Sequence, residues 1–117
     1  MNERPADFVI RPMTASDLPG ARRIQKQERW NQTESDWRLF LEVNPQGCFV
    51  AVTEAGNTSG REVIGTVTSI RYASEVCWIS LLLVDRSWRG RGIGRRLMER
   101  AIAANEGACA CLRLDAT

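Results

Sequence analysis

The residues best placed to do chemistry lie together in Arg89-Gly90-Arg91-Gly92-Ile93-Gly94-Arg95, where three glycines alternate with three arginines and one isoleucine. Glycine lets a backbone come close to a ligand, and the first amides of a helix point outward at the positive end of its dipole. A helix opening at Ile93 would therefore offer a phosphate a ready site, and Arg89, Arg91 and Arg95 reinforce that preference. The rest of the sequence narrows the alternatives. It holds no histidine, which removes Ser-His-Asp triads, Cys-His pairs and histidine-based zinc hydrolases. The four cysteines, at 48, 77, 109 and 111, include no C-x-x-C pair and read as reduced core thiols. Cys109 and Cys111 share a strand face, but with no histidine nearby a metal site is the weaker reading, and no metal is expected.

The elements that must position this segment can be read along the chain. Phe8-Val9-Ile10-Arg11-Pro12 is a β-like run, and Thr14 to Asp17 suit the start of a helix reaching about Lys26. Thr33 followed by Asp36 resembles a capping box, opening a helix that presents Trp37, Phe40 and Leu41 and ends at Asn44-Pro45-Gln46-Gly47. Cys48 to Thr53, Val63 to Tyr72 and Val76 to Val84 are apolar or β-branched runs separated by turn formers, which predicts an antiparallel meander. From Ile93 the apolar residues Ile93, Leu97, Met98, Ala101 and Ile102 fill one half of a helical wheel. Asn105-Glu106-Gly107 stops that helix, and Ala110 to Asp115 reads as a strand parallel to the one before it. The order is β-α-α-β-β-β-α-β, an α/β (α+β) fold with a mixed sheet.

At 117 residues, a single domain over 1–117 is expected. The balance of 16 Lys and Arg against 14 Asp and Glu gives no global field to draw nucleic acid or anionic lipid. No signal peptide opens the sequence and no apolar run is long enough for a bilayer, so a cytoplasmic protein with neither nucleic-acid nor membrane partners is expected.

Spacing separates the glycine-rich phosphate motifs. A dinucleotide fingerprint requires G-x-G-x-x-G, whereas Gly90, Gly92 and Gly94 read G-x-G-x-G, and no Lys-Ser/Thr pair follows as a Walker loop requires. What remains, Arg89 to Gly94, resembles the R/Q-x-x-G-x-G/A signature of the GNAT superfamily of acyl-coenzyme A-dependent N-acyltransferases. Its setting between a buried strand and a helix is similar too, and the likeness extends over the whole chain. The resemblance implies that Arg89, Gly90, Arg91, Gly92, Ile93, Gly94 and Arg95 hold the coenzyme A pyrophosphate. It implies that Leu82, Leu83 and Val84, at the splayed end of the fourth strand, hold the pantetheine arm. Trp30 and Asn31, in the loop after the first helix, are the acceptor-side candidates, against the plainer reading of Trp30 as a loop anchor.

Two departures from the family pattern bear on catalysis. Many relatives carry a glutamate on the fourth strand, at the position of Ser80 here, and a serine hydroxyl is too weak a base. Glu28 is better read as a solvated helix carboxylate, so the base is unassigned. The family domain also runs on into a further helix and two strands, often with a tyrosine that protonates the leaving thiolate; Thr117 ends this sequence, and Tyr72 does not match that position. A carboxyl-terminally incomplete domain, with self-association through the fifth-strand edge, is the resulting expectation. The functional expectation is transfer of an acetyl group from acetyl-CoA to a primary amine of a small molecule or peptide. The alternatives are a non-catalytic coenzyme A-binding or interaction module and, less favoured by charge, a nucleic-acid binder using Arg86 to Arg96.

Overall fold

The computed structural model describes residues 8–28, 33–53, 62–72, 76–105 and 111–114, with 71, 72, 76 and 111–114 described by backbone alone. Strands β1 (Phe8–Pro12), β2 (Phe49–Thr53), β3 (Val63–Tyr72), β4 (Val76–Val84) and β5 (Cys111–Leu114) form one sheet in chain order. Pairing is antiparallel from β1 to β4 and parallel between β4 and β5. Helices α1 (Leu18–Glu28) and α2 (Glu34–Val43) cover one face, and α3 (Ile93–Asn105) covers the other. The element order is the one expected, with short 3₁₀ turns added at Ala15–Asp17, Pro45–Gly47 and Arg86–Trp88. No described helix is long and apolar enough to cross a membrane.

Local chemistry fixes where the helices on the first face begin. The Thr14 amide donates to Asp17 Oδ2 at 2.8 Å, and the Arg11 guanidinium grips both oxygens of that carboxylate at 2.8 and 2.9 Å. Burial alone raises the Asp17 carboxyl, but the bonds from Arg11 and Thr14 outweigh it and hold it below its ordinary value. Thr33 and Asp36 form the expected capping box, each side chain accepting from the other's amide, at 2.8 and 3.2 Å. Trp37 then enters the core with no exposed surface, its indole N–H donating to Gln25 Oε1 at 2.6 Å.

One strand is irregular. Thr66 of β3 pairs with Leu83, yet Thr68 pairs with Ser80, so Leu81 and Leu82 together stand against Val67. Leu81 adopts φ 51°, in the left-handed region. This bulge inverts the strand's faces: Ile79 packs toward α3, whereas Leu81, two residues on, packs toward α1 and α2. A leucine in that conformation costs roughly 1–3 kcal/mol. Burying its side chain contributes about 1.5–3 kcal/mol in return. The carbonyls displaced from the ladder are met by hydroxyls of β3, with Thr66 Oγ1 donating to the Leu81 oxygen at 2.8 Å and Thr68 Oγ1 to the Ser80 oxygen at 3.0 Å.

Of the two cysteines whose side chains are described, one departs from expectation. Cys48 is free and buried, and burial pushes its thiol up to about 11. Cys77, also expected as a reduced core thiol, is disulfide-bonded instead. The reason is tertiary: parallel pairing sets Leu112 opposite Cys77 and brings β5, which opens at Cys111, beside β4, a proximity that spacing in the sequence does not report. Cys109 and the Cys111 side chain lie outside the described residues.

Substituting Thr66→Val keeps the side chain's shape but removes the donor from a buried carbonyl. The expected loss in urea unfolding is roughly 1–3 kcal/mol; an unchanged midpoint would mean that the bulge does not depend on that hydroxyl.

Candidate functional site

Beyond the bulge, β4 delivers the chain to Asp85, and a 3₁₀ turn and two glycines carry it from there to α3. Gly90 and Gly92 have φ of 85° and 81°, values that disfavour any side chain, although a Cβ at either would meet nothing within 4 Å. Backbone sign, and not packing, requires these two glycines, and the space above them is open. The first turn of α3 follows. Its first ladder bond runs from the Arg96 amide to the Gly92 carbonyl at 3.1 Å, so the amides of Ile93, Gly94 and Arg95 precede the helical ladder and have no acceptor within it. Ile93 and Leu97, both buried, seat the helix on the sheet.

The turn is clamped from the side by α1. Asp85, only 5% exposed, accepts from Arg23 at 2.8 Å and from the Ser87 amide and hydroxyl at 2.9 and 2.8 Å. Arg23 also donates to the Val63 carbonyl at 2.8 Å, so one guanidinium ties α1 to β3 and to the end of β4. Burial by itself raises the Asp85 carboxyl; the bonds from Arg23 and Ser87 outweigh it and hold the group at about 2. Further along, the Arg86 amide donates to Gln27 Oε1 at 3.0 Å and its side chain to the Gln27 carbonyl at 2.6 Å. Arg89 donates to Glu28 and, through Nε, to the Val84 carbonyl at 3.2 Å.

The expected site residues are thus partly assembled. Leu82, Leu83 and Val84 lie at the bulge and just past it, and Arg89 to Arg95 form the turn and first helical turn beside them. Arg89 is engaged by Glu28 through its guanidinium, which fixes the turn to α1. Arg91 stacks on Trp88 at 4.7 Å, and Arg95 is highly exposed, 3.5 Å from Glu99. Ser80 is buried with its hydroxyl 3.1 Å from that of Thr68. Glu28 is paired with Arg86 and Arg89 rather than solvated alone. Trp30 and Asn31 lie outside the described residues. The sequence reading missed Asp85, Arg23 and the two threonines. The one available signal was the Leu81-Leu82-Leu83 run, which breaks the alternation of a single-faced strand but is shared by strands buried on both faces.

A bulged fourth strand feeding a glycine turn and an uncapped helix is a specific arrangement, and the family model described as the acetyltransferase (GNAT) family matches residues 12–117. The chain belongs to that family. Acyl transfer is the chemistry that GNAT membership implies. Among solved structures, this GNAT chain is similar to a Pyrococcus horikoshii protein described as an acetyltransferase, at 25% identity and TM-score 0.81, covering 99% of this chain and 41% of that one. Ard1 from Thermoplasma volcanium shares the fold at 22% identity and TM-score 0.79, over 93% of this chain and 71% of its own. So does a phosphinothricin acetyltransferase from Sinorhizobium meliloti, solved with acetyl-CoA, at 20% identity and TM-score 0.63, over 84% of this chain and 59% of its own. The GNAT chain therefore spans less than half of the Pyrococcus protein. No curated protein sequence gives a significant match.

The Asp85 clamp has a pH signature. With a folded value of about 2 against an ordinary 3.8, its contribution is fully present above about pH 4 and is lost as pH falls through about 2. Asp85→Asn is expected to cost about 1–2 kcal/mol at neutral pH, allowing for screening of the half-exposed Arg23. Urea unfolding from neutral pH into acid should show the two proteins converging, and a gap that stays constant below pH 4 would contradict the assignment.

Proposed function

We propose that this GNAT chain carries the cofactor side of an N-acetyltransferase that moves an acetyl group from acetyl-CoA to a primary amine of a small molecule or peptide. The observation behind this reading is the junction of the β4 bulge with the open amides that start α3, held rigid by α1. The residues present fit a pyrophosphate. Positive-φ glycines keep side chains off the turn, a Cβ there would meet open space, and the amides of Ile93, Gly94 and Arg95 lie outside the ladder. Arg91 and Arg95 add exposed positive charge, and Arg89 acts by fixing the turn.

Leu82, Leu83 and Val84 take the pantetheine side in this reading. A bulge leaves backbone polar groups of its strand unpaired with the neighbouring strand, and an extended amide-bearing arm can meet them. When bound, acetyl-CoA supplies an activated thioester carbonyl, so positioning and polarisation can provide most of the rate and no covalent enzyme intermediate is required. Ser80 and Glu28 are both committed, to Thr68 and to Arg86 and Arg89, so neither serves as base and amine deprotonation falls to water. That buried Ser80 also favours a second reading, a coenzyme A-binding module without turnover. Among the described residues β5 pairs with β4 alone, and its open edge is the surface we assign to self-association.

Calorimetry with coenzyme A is expected to show binding below millimolar concentration, with a matching rise in melting temperature. Gly92→Asp should weaken it at least ~tenfold by placing a carboxylate where phosphate oxygens meet amides. Unchanged affinity in a folded variant would remove the site. Thiol release against an amine panel separates the two readings, since binding without release selects the non-catalytic module.

A further inference from the structure

We propose that the disulfide of Cys77 is a redox latch: closed, it fixes β5 against β4 beside the bulge, and opened by a dithiol it frees that strand and weakens acyl-CoA binding. The ligand part of this inference rests on the acyl-transfer reading, and the latch itself does not. Cys77 is fully buried and disulfide-bonded. The sequence holds three other cysteines and Cys48 is free, so the bond runs to Cys109 or Cys111. Either choice closes a covalent loop that contains the β4 bulge, the Asp85 clamp, both positive-φ glycines and the whole of α3.

The bond matters because pairing alone holds β5 over a short distance. Parallel pairing joins it to β4 at four positions, from Val76 with Cys111 to Ile79 with Leu114, and stops there. From Ser80 onward, where the bulge begins, β4 has no partner on that side among the described residues. That open edge carries Leu82, Leu83 and Val84, so the point at which β5 leaves β4 sets the opening beside the pantetheine positions. Cys77 lies two residues before Ile79 and therefore on the α3 face of the sheet. At the end of α3, Asn105 donates at 3.1 Å to the hydroxyl of Ser69, which pairs with Ile79. The latch thus lies where the end of α3 meets β4.

Cys48 takes no part in the exchange. Its thiol is buried and pushed up to about 11, so it stays protonated and does not attack the bond. A dithiol does: its thiolate breaks the S–S bond, its second sulfur displaces the protein thiol, and it leaves as a cyclic disulfide. Two electrons and the dithiol's two protons end on Cys77 and its partner. By linkage, a bond whose closure tightens ligand binding is itself favoured by the ligand to the same degree.

The test compares the oxidised full chain with the same chain reduced by dithiothreitol. On reduction, backbone hydrogen exchange at residues 111 to 114 should accelerate at least ~tenfold while β1 to β3 stay protected. Calorimetric affinity for coenzyme A should fall about tenfold. Saturating coenzyme A should shift the chain's equilibrium with dithiothreitol toward the protein disulfide by the same factor. Of Cys109→Ser and Cys111→Ser, which both spare the buried Cys77, one should show the reduced behaviour without reductant and the other should keep the response. Unchanged exchange at residues 111 to 114, equal and measurable coenzyme A affinity in the two forms, or a response that survives in both variants would overturn the proposal. Acceleration at β5 with coenzyme A bound by neither form supports the latch and removes only the acyl-CoA reading, so the two failures are distinguishable.

Discussion

An extra residue in a buried strand is the constraint on which the rest of this structure depends. Because side chains alternate along a strand, the residue added at Leu81 and Leu82 exchanges the faces of everything after it. Leu81 and Leu83 then anchor under α1 and α2, while Leu82 and Val84 pack on the α3 side. Without the bulge the leucines would point to the wrong layers, and β4 would hand the chain to Asp85 on the other side of the sheet. Two threonine hydroxyls make it tolerable by meeting the carbonyls it displaces.

The second dependence is lateral. A turn with two positive-φ glycines has little to hold its shape, yet an anion site must be formed before its ligand arrives if binding is not to be weakened by ordering the loop. Here α1 supplies the rigidity through Arg23 to Asp85, Gln27 to Arg86 and Glu28 to Arg89. Arg89, the arginine that resembles a phosphate ligand in sequence, thus also acts on the fold, and in the function proposed above the turn's backbone amides meet the ligand. A buried carboxylate so strongly bonded stays ionised throughout the physiological range, so the clamp does not respond to ordinary pH changes.

Much of the architecture was legible in the sequence because its signals are local. The Thr33–Asp36 box, the wheel from Ile93 and the apolar runs at 63–72 and 76–84 each specify an element without reference to the others. The glycine turn was legible for the same reason. What could not be read depends on which strands meet: the left-handed Leu81, the pairing of Arg89 with Glu28 across 61 positions, and the disulfide of Cys77. Ser80 illustrates the boundary, since its identity argued against a base, but only the register with Thr68 shows its hydroxyl already engaged.

The central claim is that backbone amides at the bulge and at the start of α3 are held ready for an acyl-CoA. Backbone hydrogen exchange, residue by residue, with and without saturating acetyl-CoA, tests it most directly. The account expects slowed exchange at Leu82 and across Gly92 to Arg95, with Asp85 and Ser87 already protected in the free chain. Saturating ligand that leaves those amides unchanged, or protects only amides elsewhere, would contradict it.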